Sequence, residues 1–149
     1  MVSDIIPSAS ASEVPVEPVA PPPQSTETVG MELLGNYNDY QKHWMQVAWE
    51  ISHDKDFMYM LKAENGLLNH DRQSEVYKNG VREPSFGFCQ IHKGYHPEIV
   101  NDPKFFSDPG WQLQKCFELW KGGTAFYGFH RFKNNWTFQE NVKASFKFY

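Results

Sequence analysis

From about residue 31 onward the apolar positions fall at helical spacing. Tyr40, Trp44, Val47, Ala48 and Ile51 sit at i, i+4, i+7, i+8 and i+11, which predicts one face of an amphipathic helix. Asp54 is placed to cap a second helix, in which Phe57, Met60, Leu61 and Glu64 recur at i, i+3, i+4 and i+7. Gly66 is the expected stop. Residues 67–86 are polar and irregular, with Asn79-Gly80 as a turn, so a short hairpin or a long loop fits. Short helices are expected to begin near Gly87 and near His96-Pro97. Ser107-Asp108-Pro109 puts a cap residue before a proline at the first helical position. Leu113, Cys116, Phe117 and Trp120 then share a face until Gly122-Gly123. No segment shows sustained strand alternation, and the expected class is mainly α.

The first 30 residues follow a different pattern. Ser, Ala, Pro, Val, Glu and Thr dominate, with Pro21-Pro22-Pro23 in the middle. Such a stretch has too little bulky apolar surface to offset its ordering entropy, which predicts a disordered, Pro-rich linker over 1–30 and one folded domain over 31–149. The linker suits attachment to a delivery or anchoring partner. It holds four acidic residues and no Lys or Arg, and without it acidic and basic residues balance at 14 each. A neutral domain without a basic stripe argues against nucleic acid as the main partner. No apolar run approaches the roughly 20 residues needed to span a bilayer. The opening residues lack a basic stretch followed by an unbroken apolar one, so no signal peptide of the usual form is visible. Cys89 and Cys116 either pair or remain as buried thiols.

Glu64 is the costliest placement in this pattern. It shares a stripe with Phe57, Met60 and Leu61, which must face the core, and it lies at a helix C-terminus, where the dipole disfavours an anion. Burial and dipole both raise a carboxyl pKa. A carboxylic acid still protonated near neutral pH is what glycoside cleavage uses to protonate a leaving oxygen. Periodicity alone favours a solvated Glu at a helix end, since most Glu residues lie on the surface.

The surrounding residues add to this. Ala63-Glu64-Asn65-Gly66 is followed by Ser85-Phe86-Gly87-Phe88-Cys89-Gln90-Ile91, then by Thr124-Ala125-Phe126-Tyr127-Gly128. This order and spacing resemble the lytic transglycosylases and goose-type lysozymes over roughly residues 40–130. In that family a Glu closes a helix before a Gly, a Ser-x-Gly-aliphatic-x-Gln-Ile stretch follows, and an Ala-Tyr-Asn element comes near the end. The resemblance implies a lysozyme-like helical domain with a substrate cleft for the glycan strands of peptidoglycan, and no cofactor or metal. It implies that Glu64 is the catalytic acid and then base, and that Ser85 and Gln90 line the sugar site; His92, directly after that motif, is placed to line it as well. Tyr127 would orient Glu64 or bind the saccharide. The implied bond is the β-1,4 link between N-acetylmuramic acid and N-acetylglucosamine, cut either by hydrolysis or with formation of a 1,6-anhydromuramoyl end. The implied setting is the cell wall, the periplasm or a virion. Asn65 stands where the family has Ser, Phe88-Cys89 where it has Leu-Met, and Ala125–Gly128 is a loose form of the third element. A non-catalytic wall-binding or structural module on the same fold is the alternative.

Other constellations have plainer readings. Cys89 and His92 suggest a thiol nucleophile, but Cys89 between Phe88 and Ile91 reads as a small buried hydrophobe. His92 and His96 have the i, i+4 spacing of a metal clamp only on an unbroken helix, which Pro97 opposes. His70-Asp71 has no further ligand at metal-site spacing. With 16% aromatic residues, some of Tyr95, Trp111, Tyr127, Phe129 and Trp136 are available for sugar stacking, while most rings must form core. Arg131, Lys133, Lys143 and Lys147 make the tail mildly basic, which suits an anionic wall polymer or an ordinary solvated face.

Overall fold

The computed structural model describes residues 30–149. The expected linker therefore lies outside the described residues, except for Gly30. That residue already belongs to the fold, because its carbonyl accepts a hydrogen bond from the Tyr149 amide at 3.0 Å.

Mostly helical, the domain also carries small sheets. Helix α1 (Asp39–Ser52) opens on a capping box in which Asn38 and Gln41 satisfy each other's backbone amides. Its most buried residues are Met45, Ala48 and Trp49, so the core face is rotated from the expected stripe. Tyr40, Trp44, Val47 and Ile51 pack on its flank, since a helix of this size buries a broad arc. Helix α2 (Lys55–Glu64) is capped by Asp54, whose side chain accepts from the Phe57 amide at 3.1 Å. It ends at Glu64, and Asn65, one residue before the expected stop, provides the C-cap.

The polar stretch after α2 forms a hairpin, β2 (Tyr77–Lys78) against β3 (Val81–Arg82), about the Asn79-Gly80 turn. This follows β1 (Met31–Leu33) at the start of the domain. The expected helix near Gly87 is absent. In its place β4 (Ser85–Phe86) pairs antiparallel with β5 (Ile91–His92), with Gly87–Gln90 as the connecting turn. Gly87 at φ +88° and Gln90 at φ +54° cannot belong to a right-handed helix. A Cβ on Gly87 would also collide with the Gln112 carboxamide.

Pro97–Val100 forms α3, Lys104–Ser107 forms α4, and Pro109–Lys121 forms α5, with Asp108 accepting from the Trp111 amide at 3.0 Å. Leu113 and Cys116 of α5 are fully buried, while Phe117 and Trp120 flank them against the core. The aromatic tail divides into α6 (Tyr127–Asn134), α7 (Trp136–Lys143) and β6 (Phe146–Phe148). Strand β6 pairs antiparallel with β1 and joins the two ends of the domain, with Leu33 opposite Phe146. Among the described residues no strand exceeds three residues, too few for alternation to stand out in the sequence. No helix among the described residues is long and apolar enough to cross a membrane.

Candidate active site

A groove of about 1150 Å³ runs along the face where the end of α2, the two hairpins and the start of α6 meet. Glu64, Ser85, Gln90, His92 and Tyr127, the five site residues expected from the sequence, all line it.

The geometry around Glu64 starts with helix ends. Helix α6 begins at Tyr127 behind Phe126, whose side chain has no acceptor and makes no cap. The carboxylate of Glu64 fills that role. Its Oε2 accepts from the backbone amides of Gly128 and, at 3.2 Å, of Phe129. Only glycine fits at position 128, where a Cβ would lie 2.7 Å from the Ala63 carbonyl oxygen and 2.8 Å from Glu64 Oε2.

These contacts revise the electrostatic argument. The carboxyl group meets the favourable N-terminus of α6 as well as the unfavourable C-terminus of α2. Even so, its pKa is pushed up to about 7, because desolvation in the groove wall outweighs the two amides, and the negative charge of Glu83 adds to the rise. At neutral pH Glu64 is divided between acid and base.

The turn that carries Gln90 is held from three sides. Asn65, fully buried, donates from Nδ2 to the carbonyls of Gly87 at 2.9 Å and Asn69 at 2.6 Å. Gln112, also fully buried, accepts from the Phe88 amide at 2.7 Å and donates to the carbonyls of His70 and Phe105. Cys89 is bonded to Cys116 on α5. Of the two states left open for these cysteines this is the paired one, and it removes Cys89 as a nucleophile. Gln90 then donates from Nε2 to the carbonyls of Arg72 and Gly87, at 3.1 and 3.0 Å. Its amide nitrogen is thus engaged, and among the described residues nothing donates to its carbonyl oxygen.

Ser85 is buried in β4, directly opposite His92 in β5. His92 accepts at Nδ1 from the Gly94 amide and packs against Tyr95, which is largely exposed along the groove. His96 caps α3 rather than sharing a helix with His92, so the metal-clamp geometry is not formed. His70 is held between the Tyr40 hydroxyl and the Phe106 carbonyl. Among the described residues no three His, Cys, Asp or Glu side chains gather as a metal site.

Tyr127 is 84% exposed and makes no hydrogen bond to Glu64; the amides that follow it in α6 do. Sequence reasoning missed this capping, as well as Glu83, Arg72 and the α7 wall of the groove. The nearest sequence clue was Gly128 itself, a small residue next to the aromatic element. Compared with protein-family models, curated proteins and solved structures, the chain matches none of them.

Proposed function

We propose that this domain cleaves the β-1,4 bond between N-acetylmuramic acid and N-acetylglucosamine in peptidoglycan, on a lysozyme-like scaffold. The observation that carries the reading is a carboxyl group with a pKa of about 7 on the wall of an open groove, fixed by two backbone amides. Protonated Glu64 delivers its proton to the glycosidic oxygen as the bond to the anomeric carbon breaks. The resulting carboxylate then takes a proton from the incoming nucleophile. With the muramoyl 6-hydroxyl as nucleophile the product is a 1,6-anhydro end; with water it is a reducing end. The amides of Gly128 and Phe129 support the carboxylate formed in the first step, so the site serves both halves of the cycle.

The carbonyl of Gln90, His92 and the exposed rings of Tyr95 and Tyr127 supply hydrogen-bonding and stacking surfaces suited to a sugar chain. The Cys89–Cys116 bond suits an oxidising setting, in line with work at the cell wall, in the periplasm or on a virion.

The test is digestion of purified peptidoglycan by wild type and Glu64→Gln, with mass spectrometry of the released muropeptides. Anhydro ends from wild type alone identify a lytic transglycosylase, and reducing ends a hydrolytic muramidase. Folded wild-type protein that binds the wall and releases nothing overturns the catalytic reading in favour of a wall-binding module.

A further inference from the structure

Arg131 lies one helical turn beyond Tyr127 on α6, about 6 Å along the axis, and both line the groove. Its Cζ is 3.9 Å from the ring centroid of Phe138 on α7. The stacked guanidinium is exposed, and among the described residues no carboxylate lies within ion-pair distance of it. Arg72, also on the groove, is by contrast 4.0 Å from Glu75.

The wall beside Arg131 is built to one pattern. Phe138, Asn141, Val142 and Ser145 recur at i, i+3, i+4 and i+7, and all face the groove. None is acidic. Apart from Glu64, the carboxylates of the groove are Glu75 and Glu83, both from the side of the β2–β3 hairpin. The α6–α7 wall thus presents a single cation with an exposed carboxamide, Asn141, beside it. A guanidinium stacked on a ring keeps its donor edge free and its plane fixed, which is the arrangement that takes a carboxylate in bidentate fashion.

We propose that Arg131, held over Phe138, binds a carboxylate of the substrate, so that the groove prefers carboxylate-bearing glycans over neutral chains of the same β-1,4 backbone. This rests on the reading of the groove as a peptidoglycan site. Two sources in that polymer offer the chemistry: the stem peptides, and the lactyl groups left once those peptides are removed.

The experiment is calorimetric binding to the Glu64→Gln protein, which holds ligands without turning them over. Three ligands of equal sugar number are compared: peptide-bearing muropeptide oligomers, peptide-stripped glycan with free lactyl carboxylates, and neutral chito-oligosaccharides. Arg131→Met, which keeps the ring covered but removes the charge, is expected to lower the preference for a carboxylate-bearing ligand over the neutral one about tenfold. Arg131→Lys is expected to recover part of that preference. The ligand that loses affinity identifies the source. Equal weakening for all three ligands would mean that Arg131 only supports the wall, and no weakening would mean that it is idle; either overturns the proposal. Failure of the unmutated Arg131 protein to bind any of the three overturns the peptidoglycan reading and this proposal together.

Discussion

The carboxylate of Glu64, the last residue of α2, caps the helix that begins at Tyr127 by accepting from the Gly128 amide. The start of α6 and the positioning of the proposed acid therefore depend on the same contact. Replacing Gly128 with Ala puts a methyl group 2.7 Å from the Ala63 carbonyl oxygen and 2.8 Å from Glu64 Oε2. The two helix ends must separate, at an expected cost of about 1–3 kcal/mol in stability and most of the muropeptide release. Gly66→Ala, exposed and with only the Lys62 ammonium near its Cβ, is the control expected to change neither. Thermal denaturation and a digestion assay on both variants check this, and normal activity in Gly128→Ala would sink it.

The raised pKa of Glu64 makes a prediction about stability whose sign is opposite to the usual carboxylate case. Between the ordinary value of 4.5 and about 7 the folded state binds more protons than the unfolded chain. The stabilisation is full below pH 4.5 and is lost as pH rises through about 7, a loss on the order of 3 kcal/mol. Glu64→Gln removes this slope while keeping an oxygen to accept from Gly128. The variant is expected to match wild type near pH 4.5 and to exceed it at pH 8. Urea denaturation at the two pH values measures the difference, and parallel curves would refute the assignment. The same titration predicts that catalysis declines above about pH 7, with Glu83→Gln moving that limb to slightly lower pH because a repelling charge is gone.

What could be read in the sequence was whatever sits on a long periodic element or carries its own cap. Asp54, Asp108 and the Asn79-Gly80 turn are where the local chemistry put them. The stripe of α2 led to Glu64 because a charged residue in line with Phe57, Met60 and Leu61 conflicts with its neighbours. The β4–β5 hairpin was not legible: two-residue strands carry no period, and the left-handed backbone at Gln90 leaves no mark in a residue that is not glycine. Nor were the amides that hold Glu64, since they come from 64 and 65 residues further along and have no side-chain identity. The groove wall on α7 escaped because Phe138 and Asn141 read as tail residues until the chain folds back.

The Cys89–Cys116 bond closes a 27-residue separation and holds the Gln90 turn on α5. Chain entropy assigns such a loop about 3.5 kcal/mol. Oxidised protein denatured without reductant is expected to show no titratable thiol, and Cys89→Ser/Cys116→Ser to lose stability of that order and to unfold at a lower temperature. Because Asn65 and Gln112 still grip the turn, the double variant is expected to retain some cleavage at low temperature. Two thiols in the oxidised protein would show that the bond does not form.

Tyr127 separates two roles that its sequence position left together. Its ring is 84% exposed on the groove, whereas the groups that hold Glu64 are the amides of Gly128 and Phe129. Sugar binding is therefore expected to depend on the ring, and proton transfer not to depend on the hydroxyl. Tyr127→Ala is expected to raise KM several-fold with little change in melting temperature, since an exposed side chain contributes little to the fold. Tyr127→Phe should keep both the KM and the pH profile of wild type. A displaced pH profile in Tyr127→Phe would show that the hydroxyl reaches Glu64 when substrate is bound, and would move Tyr127 from stacking to positioning the acid.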